Sequence, residues 1–113
     1  MNLDPRSPEE LIKVLRVAGK KYAEAKAQRV YLEQFRKSQK AILMQKAESA
    51  GENITAKQER DAYAHPEYQD LLKGLQIAVE EEERARYGYE AAKLELEVWR
   101  TQRADERAAM NLV

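Results

Sequence analysis

From Leu71 to Arg103 the seam-forming residues recur in steps of four and three without a break: Leu71, Leu75, Ala78, Glu82, Ala85, Tyr89, Ala92, Leu96, Trp99 and Arg103. At 3.6 residues per turn this spacing sets them in one stripe along a helix, the pattern by which helices pack in coiled coils. The stripe has no use unless a second helix covers it, so the chain must supply or recruit one. Pro66 suits the first position of this helix, because it lacks only an N–H that would be unbonded there anyway. Glu67 and Asp70 complement the positive end of the helix dipole. The helix is expected over 66–107, with Met110 to Val113 fraying.

The covering helix is found upstream. Ser7-Pro8-Glu9-Glu10 combines an N-cap serine, a proline at the first helical position and a glutamate placed for a capping box. Nothing then forbids helix until Gly51, a residue suited to the left-handed cap that ends helices. Within 8–50 a stripe runs through Leu11, Leu15, Ala18, Tyr22, Ala25, Arg29 and Leu32. It continues through Phe35, Gln39, Ile42 or Leu43, and Ala47. The short step to Phe35 implies local overwinding or a change of partner.

Between the two helices, Thr55-Ala56-Lys57-Gln58 reads as a second capping box opening a short helix over 56–63. Proline disfavours helix in the residue before it, so His65-Pro66 ends that helix. Near-equal lengths and a compact connector predict an all-α fold. Two long antiparallel helices form a coiled-coil-like hairpin with a short helix in the connector, as a single domain over 1–113.

Composition agrees. Charged residues make up 35% and aromatics 7%, with four Gly and three Pro, which favours long helices over sheets. Much of the 43% hydrophobic fraction is alanine, so burial must come from narrow seams rather than a thick core. There is no cysteine to form a disulfide, a thiolate nucleophile or a metal cluster. No signal-peptide pattern appears, and no apolar run nears the ~18 residues of a membrane span. A soluble cytoplasmic protein without membrane contact is expected.

A formal net charge of zero conceals an asymmetry. Residues 1–50 carry 11 Lys and Arg against 6 Asp and Glu, whereas residues 51–113 carry 9 against 14. Oppositely charged helices can pair along their flanks. The other reading is a basic face left free for nucleic acid. Its candidates are Lys13, Arg16 and Lys20 in one group and Arg36, Lys37 and Lys40 in another, each brought together by spacings of three and four. No helix-turn-helix, zinc finger or aromatic stacking platform accompanies them in the sequence.

The second helix also carries a stripe opposite its seam: Tyr87, Ala91, Leu94 and Val98. One partner helix cannot cover both faces. This points to a homo-oligomer or to another protein bound there. The alternative is that the N-terminal arm, Met1 to Arg6, folds back over the stripe.

Chemistry-bearing motifs are sparse. His65 is the single histidine and has no nucleophile or carboxylate fixed near it by spacing, so it is expected to cap the second long helix or to pack in the connector. Glu80 to Glu83 fan around the helix instead of converging on an ion, and Glu82 alone falls on the seam. A seam carboxylate needs a partner, and Arg29, the matching anomaly of the first helix, is the candidate. Glu-x-x-His pairs, glycine-rich phosphate loops and nucleophile elbows are missing. The expectation is no catalytic, cofactor-binding or metal-binding residues, and hence no enzyme.

The run Tyr63-Ala64-His65-Pro66-Glu67-Tyr68, with Leu71-Leu72, Leu75, Val98-Trp99-Arg100-Thr101-Gln102 and Arg107, resembles small uncharacterised helical proteins encoded by tailed bacteriophages and prophages. The resemblance spans roughly the second half of the chain. It implies a phage origin, the host cytoplasm as location and a place among genes for DNA recombination or replication. No activity or site residues come with it. Sequence alone therefore leads to a non-enzymatic, self-associating helical scaffold or adaptor. A sequence-independent nucleic-acid-binding accessory protein using the basic first helix is the alternative.

Overall fold

The computed structural model describes residues 7–112, which form three helices: α1 (Pro8–Ser49), α2 (Thr55–Ala64) and α3 (Pro66–Asn111). No strand occurs among the described residues. The fold is all-α, with α1 and α3 as the antiparallel arms of a hairpin and α2 in the connector. The N-terminal arm expected as a cover for the outer stripe of α3 lies outside the described residues.

Both ends of α1 follow from local chemistry. The Ser7 hydroxyl oxygen accepts the Glu10 backbone N–H at 3.3 Å, one half of the expected box. At the other end Gly51 adopts φ +107°, open to glycine but strained for any residue with a Cβ. The turn lets Glu52 N–H reach the Ala47 carbonyl and Gly51 N–H reach that of Glu48, both at 3.0 Å. These are the paired bonds of a Schellman cap, which satisfy carbonyls the helix leaves open.

The start of α2 differs from the expected capping box. Thr55 is the first helical residue and Ile54 is the N-cap, so no side chain caps this end. The Ile54 carbonyl instead accepts Lys57 and Gln58 N–H at 3.0 Å, and Gln58 turns its side chain onto the Glu52 carbonyl at 2.6 Å. Burial of Gln58 settles the competition, since a buried amide must find a partner and Glu52 provides one. At the α2–α3 junction His65 Nδ1 accepts the Glu67 N–H at 3.1 Å, so the lone histidine caps α3.

Two compact units divide the chain. Ala25–Glu82 forms one. Its core is Leu43, Ala62 and Tyr68, one residue from each helix, with Met44 and Leu72 packed against them. Leu43 is 3% exposed and Ile42 43%, which decides the branch point in the α1 stripe. Gln39 and Leu43 keep the register of Leu32, and α1 acquires α2 as an additional partner where the stripe had seemed to slip. Further along, Arg29 of α1 reaches Glu82 of α3, and Gln39 donates to Glu67 at 3.0 Å.

The other unit combines the chain up to Glu24 with the chain from Glu83 on. Leu11 and Ala92 are buried in it, while Leu15, Ala18, Tyr22, Ala85, Tyr89, Leu96 and Trp99 are half-buried along the seam. Tyr22 and Tyr89 meet with ring centroids 5.9 Å apart. Gly19 faces this pair: a Cβ at this position would stand 3.4 Å from the Tyr89 ring, at van der Waals contact. The seam ends one step earlier than its periodicity suggests. Arg103 is exposed and turns its guanidinium over the Trp99 ring, 5.8 Å from the centroid. Helix nevertheless persists to Asn111, beyond the expected end at 107, through Met110 where fraying was expected. Alanine, arginine, glutamate and methionine dominate this stretch, all strong helix formers, and a preceding turn removes the cost of nucleation.

Candidate interaction surfaces

The outer stripe of α3 lies where helical geometry puts it, opposite the seam. Tyr87 is 62% exposed, Leu94 65% and Val98 56%, and Ala91 is exposed with them. Arg86 leans its guanidinium over the Tyr87 ring at 4.8 Å while bonding Glu83 at 2.6 Å and Glu90 at 3.2 Å. These carboxylates, Glu83 first, hold the Arg86 guanidinium well above its ordinary pKa. Leu94 also stands at the edge of a groove of about 570 Å³ with Leu15 and Leu96, rimmed by Glu90, Lys93, Glu97 and Arg100. The exposed apolar surface is thus continuous with a partly apolar groove, and the rim carries both signs of charge.

The first basic group, Lys13, Arg16 and Lys20, is exposed on α1. Lys20 lies 4.0 Å from Glu24 of the same helix, a solvent-exposed pair of little energetic weight. In the second group Arg36 and Lys37 are exposed and Lys40 is half-buried. Lys40 pairs with Glu59 of α2 at 3.0 Å and lies over the Tyr63 ring, 4.8 Å from its centroid. Tyr63 foremost, and Glu59 after it, raise the Lys40 pKa against the opposing effect of burial. Pairing between the basic and acidic halves is therefore selective: Arg29 and Lys46 reach Glu82 and Glu67 of α3, Lys40 reaches α2, and most of the nominated cations face solvent.

The structure adds a feature in this region that the spacing of the cations does not show. Arg36, Lys37 and Lys40 share a groove of about 380 Å³ with Tyr63 and Tyr68, so aromatic rings do accompany the second basic group. The two rings meet edge to face at 5.2 Å. They escape a reading along the helix because they arrive from α2 and α3, more than twenty residues downstream of the cations. The signal available was the Tyr-rich run around His65-Pro66, which the sequence presents only as a junction.

Among the described residues, no group of three or more His, Cys, Asp or Glu side chains is arranged to hold a metal ion. No helix among them is long and apolar enough to cross a membrane. Glu80, Glu81 and Glu83 are exposed, and Glu82 alone turns inward. Compared with protein-family models, curated proteins and solved structures, the chain matches none.

Proposed function

We propose that this protein is a non-enzymatic helical scaffold or adaptor that self-associates and binds another protein through the outer face of α3. The observation that carries the reading is the stripe Tyr87, Ala91, Leu94 and Val98, exposed over about three helical turns and adjoining the groove beside Leu94. Single exposed apolar residues are ordinary, but a contiguous row opposite a filled seam lowers its free energy when another surface excludes water from it. The resemblance to phage-encoded proteins supports a role in phage DNA metabolism within the host cytoplasm, with no cofactor required.

The test replaces Leu94 and Val98 together by Glu and measures mass in solution by sedimentation, with helicity followed by circular dichroism. The expected result is an oligomeric wild type and a variant shifted toward monomer with its helical signal intact. Affinity capture from the native host then identifies the second partner and should fail with the same variant. A wild type that stays monomeric at high concentration, with capture unaffected by the substitutions, would remove this reading.

A further inference from the structure

The groove of the 25–82 unit is a separate matter from the outer face of α3. Two of its cations, Arg36 and Lys37, are exposed, and the third, Lys40, is fixed in place by Glu59 and the Tyr63 ring. Tyr63 keeps 40% of its surface exposed despite that contact, while Tyr68, 8% exposed, backs it edge-on. A tyrosine ring still partly exposed, beside the exposed charges of Arg36 and Lys37, provides two kinds of recognition at once. The charges attract phosphate, and the ring offers a flat apolar face. At about 380 Å³ the groove falls at the small end of ligand pockets, which run to about 1,000 Å³, and suits one compact ligand unit.

We propose that this groove holds one nucleotide unit of a single-stranded nucleic acid, its phosphate against Arg36, Lys37 and Lys40 and its base against Tyr63. Cations that track a backbone combined with aromatic rings that stack bases are the means by which single strands are bound without sequence preference. A duplex is disfavoured because its base faces are already stacked on one another. An acidic peptide would satisfy the cations but leave the Tyr63 ring without a role.

The experiment measures binding of the full chain to a fluorescent oligothymidylate of about ten nucleotides, as a function of salt. Each phosphate neutralised on a single strand contributes about 0.7 to the fall of log affinity with log salt, so Arg36 and Lys37, with Lys40 already paired to Glu59, should give a slope of about 1.4. Arg36→Glu with Lys37→Glu should weaken binding and flatten that slope. Tyr63→Leu should weaken binding about tenfold while leaving the slope unchanged, the signature of a lost stack rather than a lost charge. Tyr63→Phe, which keeps the ring, should bind as the parent does and decides the matter if the leucine variant loses helicity. Any of four results would overturn the proposal: no binding at low salt, equal binding of a duplex of the same length, equal competition by polyglutamate, or a Tyr63→Leu variant that folds and binds undiminished.

Discussion

Arg29 lays its guanidinium fork across the carboxylate of Glu82, Nε to one oxygen at 2.5 Å and a terminal nitrogen to the other at 3.0 Å, tying α1 to α3. Glu33, one turn along α1, accepts a further bond from Arg29 at 2.9 Å. The hydrogen bond that Arg29 donates to Glu82, ahead of the contributions of Glu33, holds the guanidinium well above its ordinary pKa. Bidentate geometry also resists sliding of one helix past the other, which a row of alanines does not.

Breaking one half of this pair should be worse than removing both halves. Glu82→Leu is expected to lower the melting temperature by several degrees, because Arg29 then keeps only Glu33. The double change Arg29→Leu with Glu82→Leu is expected to recover that loss or exceed the parent. Thermal melts of the three proteins check this; a single Glu82→Leu that melts higher than the parent would show that the pair only sets register.

The junction core gives a simpler expectation. Leu43 is buried in one cluster with Ala62 and Tyr68, a residue from each helix, and is 3% exposed. Leu43→Ala should cost about 3 kcal/mol through lost burial and the cavity left behind. Ile42→Ala, on the exposed side, should cost well under half as much. Chemical denaturation of both variants distinguishes these outcomes.

Glycines divide by backbone conformation. Gly51→Ala forces a Cβ into φ +107° and should destabilise by about 1 kcal/mol. Gly74→Ala and Gly88→Ala meet nothing within 4 Å and lie inside α3, so each should stabilise by about 0.5–1 kcal/mol through helix propensity. A stabilising Gly51→Ala in the same denaturation series would mean the α1 cap is not the one described.

Lys40 makes stability depend on alkaline pH. Its pKa in the folded chain is raised, Tyr63 contributing first and Glu59 second, so the folded state holds this proton more tightly than the unfolded state. The stabilisation is fully present below the ordinary lysine value of about 10.4 and is lost as pH rises through the raised one. Lys40→Met should therefore melt below the parent at neutral pH, and the difference should close in strongly alkaline buffer. A gap that is constant across that range would assign the effect to packing of the lysine stem.

Much of the hairpin is legible in periodicity and punctuation. The α3 seam holds through Trp99, Ser7 and Gly51 mark the ends of α1, and two seam anomalies of opposite charge find each other. These features are local or repeat with the helix, so a linear reading captures them. Three features are not of that kind. The Ile54 start of α2 depends on where the Gln58 amide finds an acceptor; the exposed helix beyond Trp99 depends on propensity without burial; and the grouping of Tyr63 and Tyr68 with Arg36, Lys37 and Lys40 depends on how the connector folds back. Exposure of the α3 outer stripe was legible, since it follows from the seam by subtraction.

The helix beyond Trp99 has a consequence of its own. From Arg100 to Asn111 every side chain is exposed, so these turns are sustained by propagation from the packed part of α3 and by surface pairs such as Arg103–Glu106 at 3.0 Å. Helix held this way shortens residue by residue from its free end as temperature rises, following helix–coil statistics rather than a cooperative transition. Heating should therefore bleed ellipticity at 222 nm steadily from the folded baseline before the hairpin melts, and the slope of that baseline counts the turns that no tertiary contact holds.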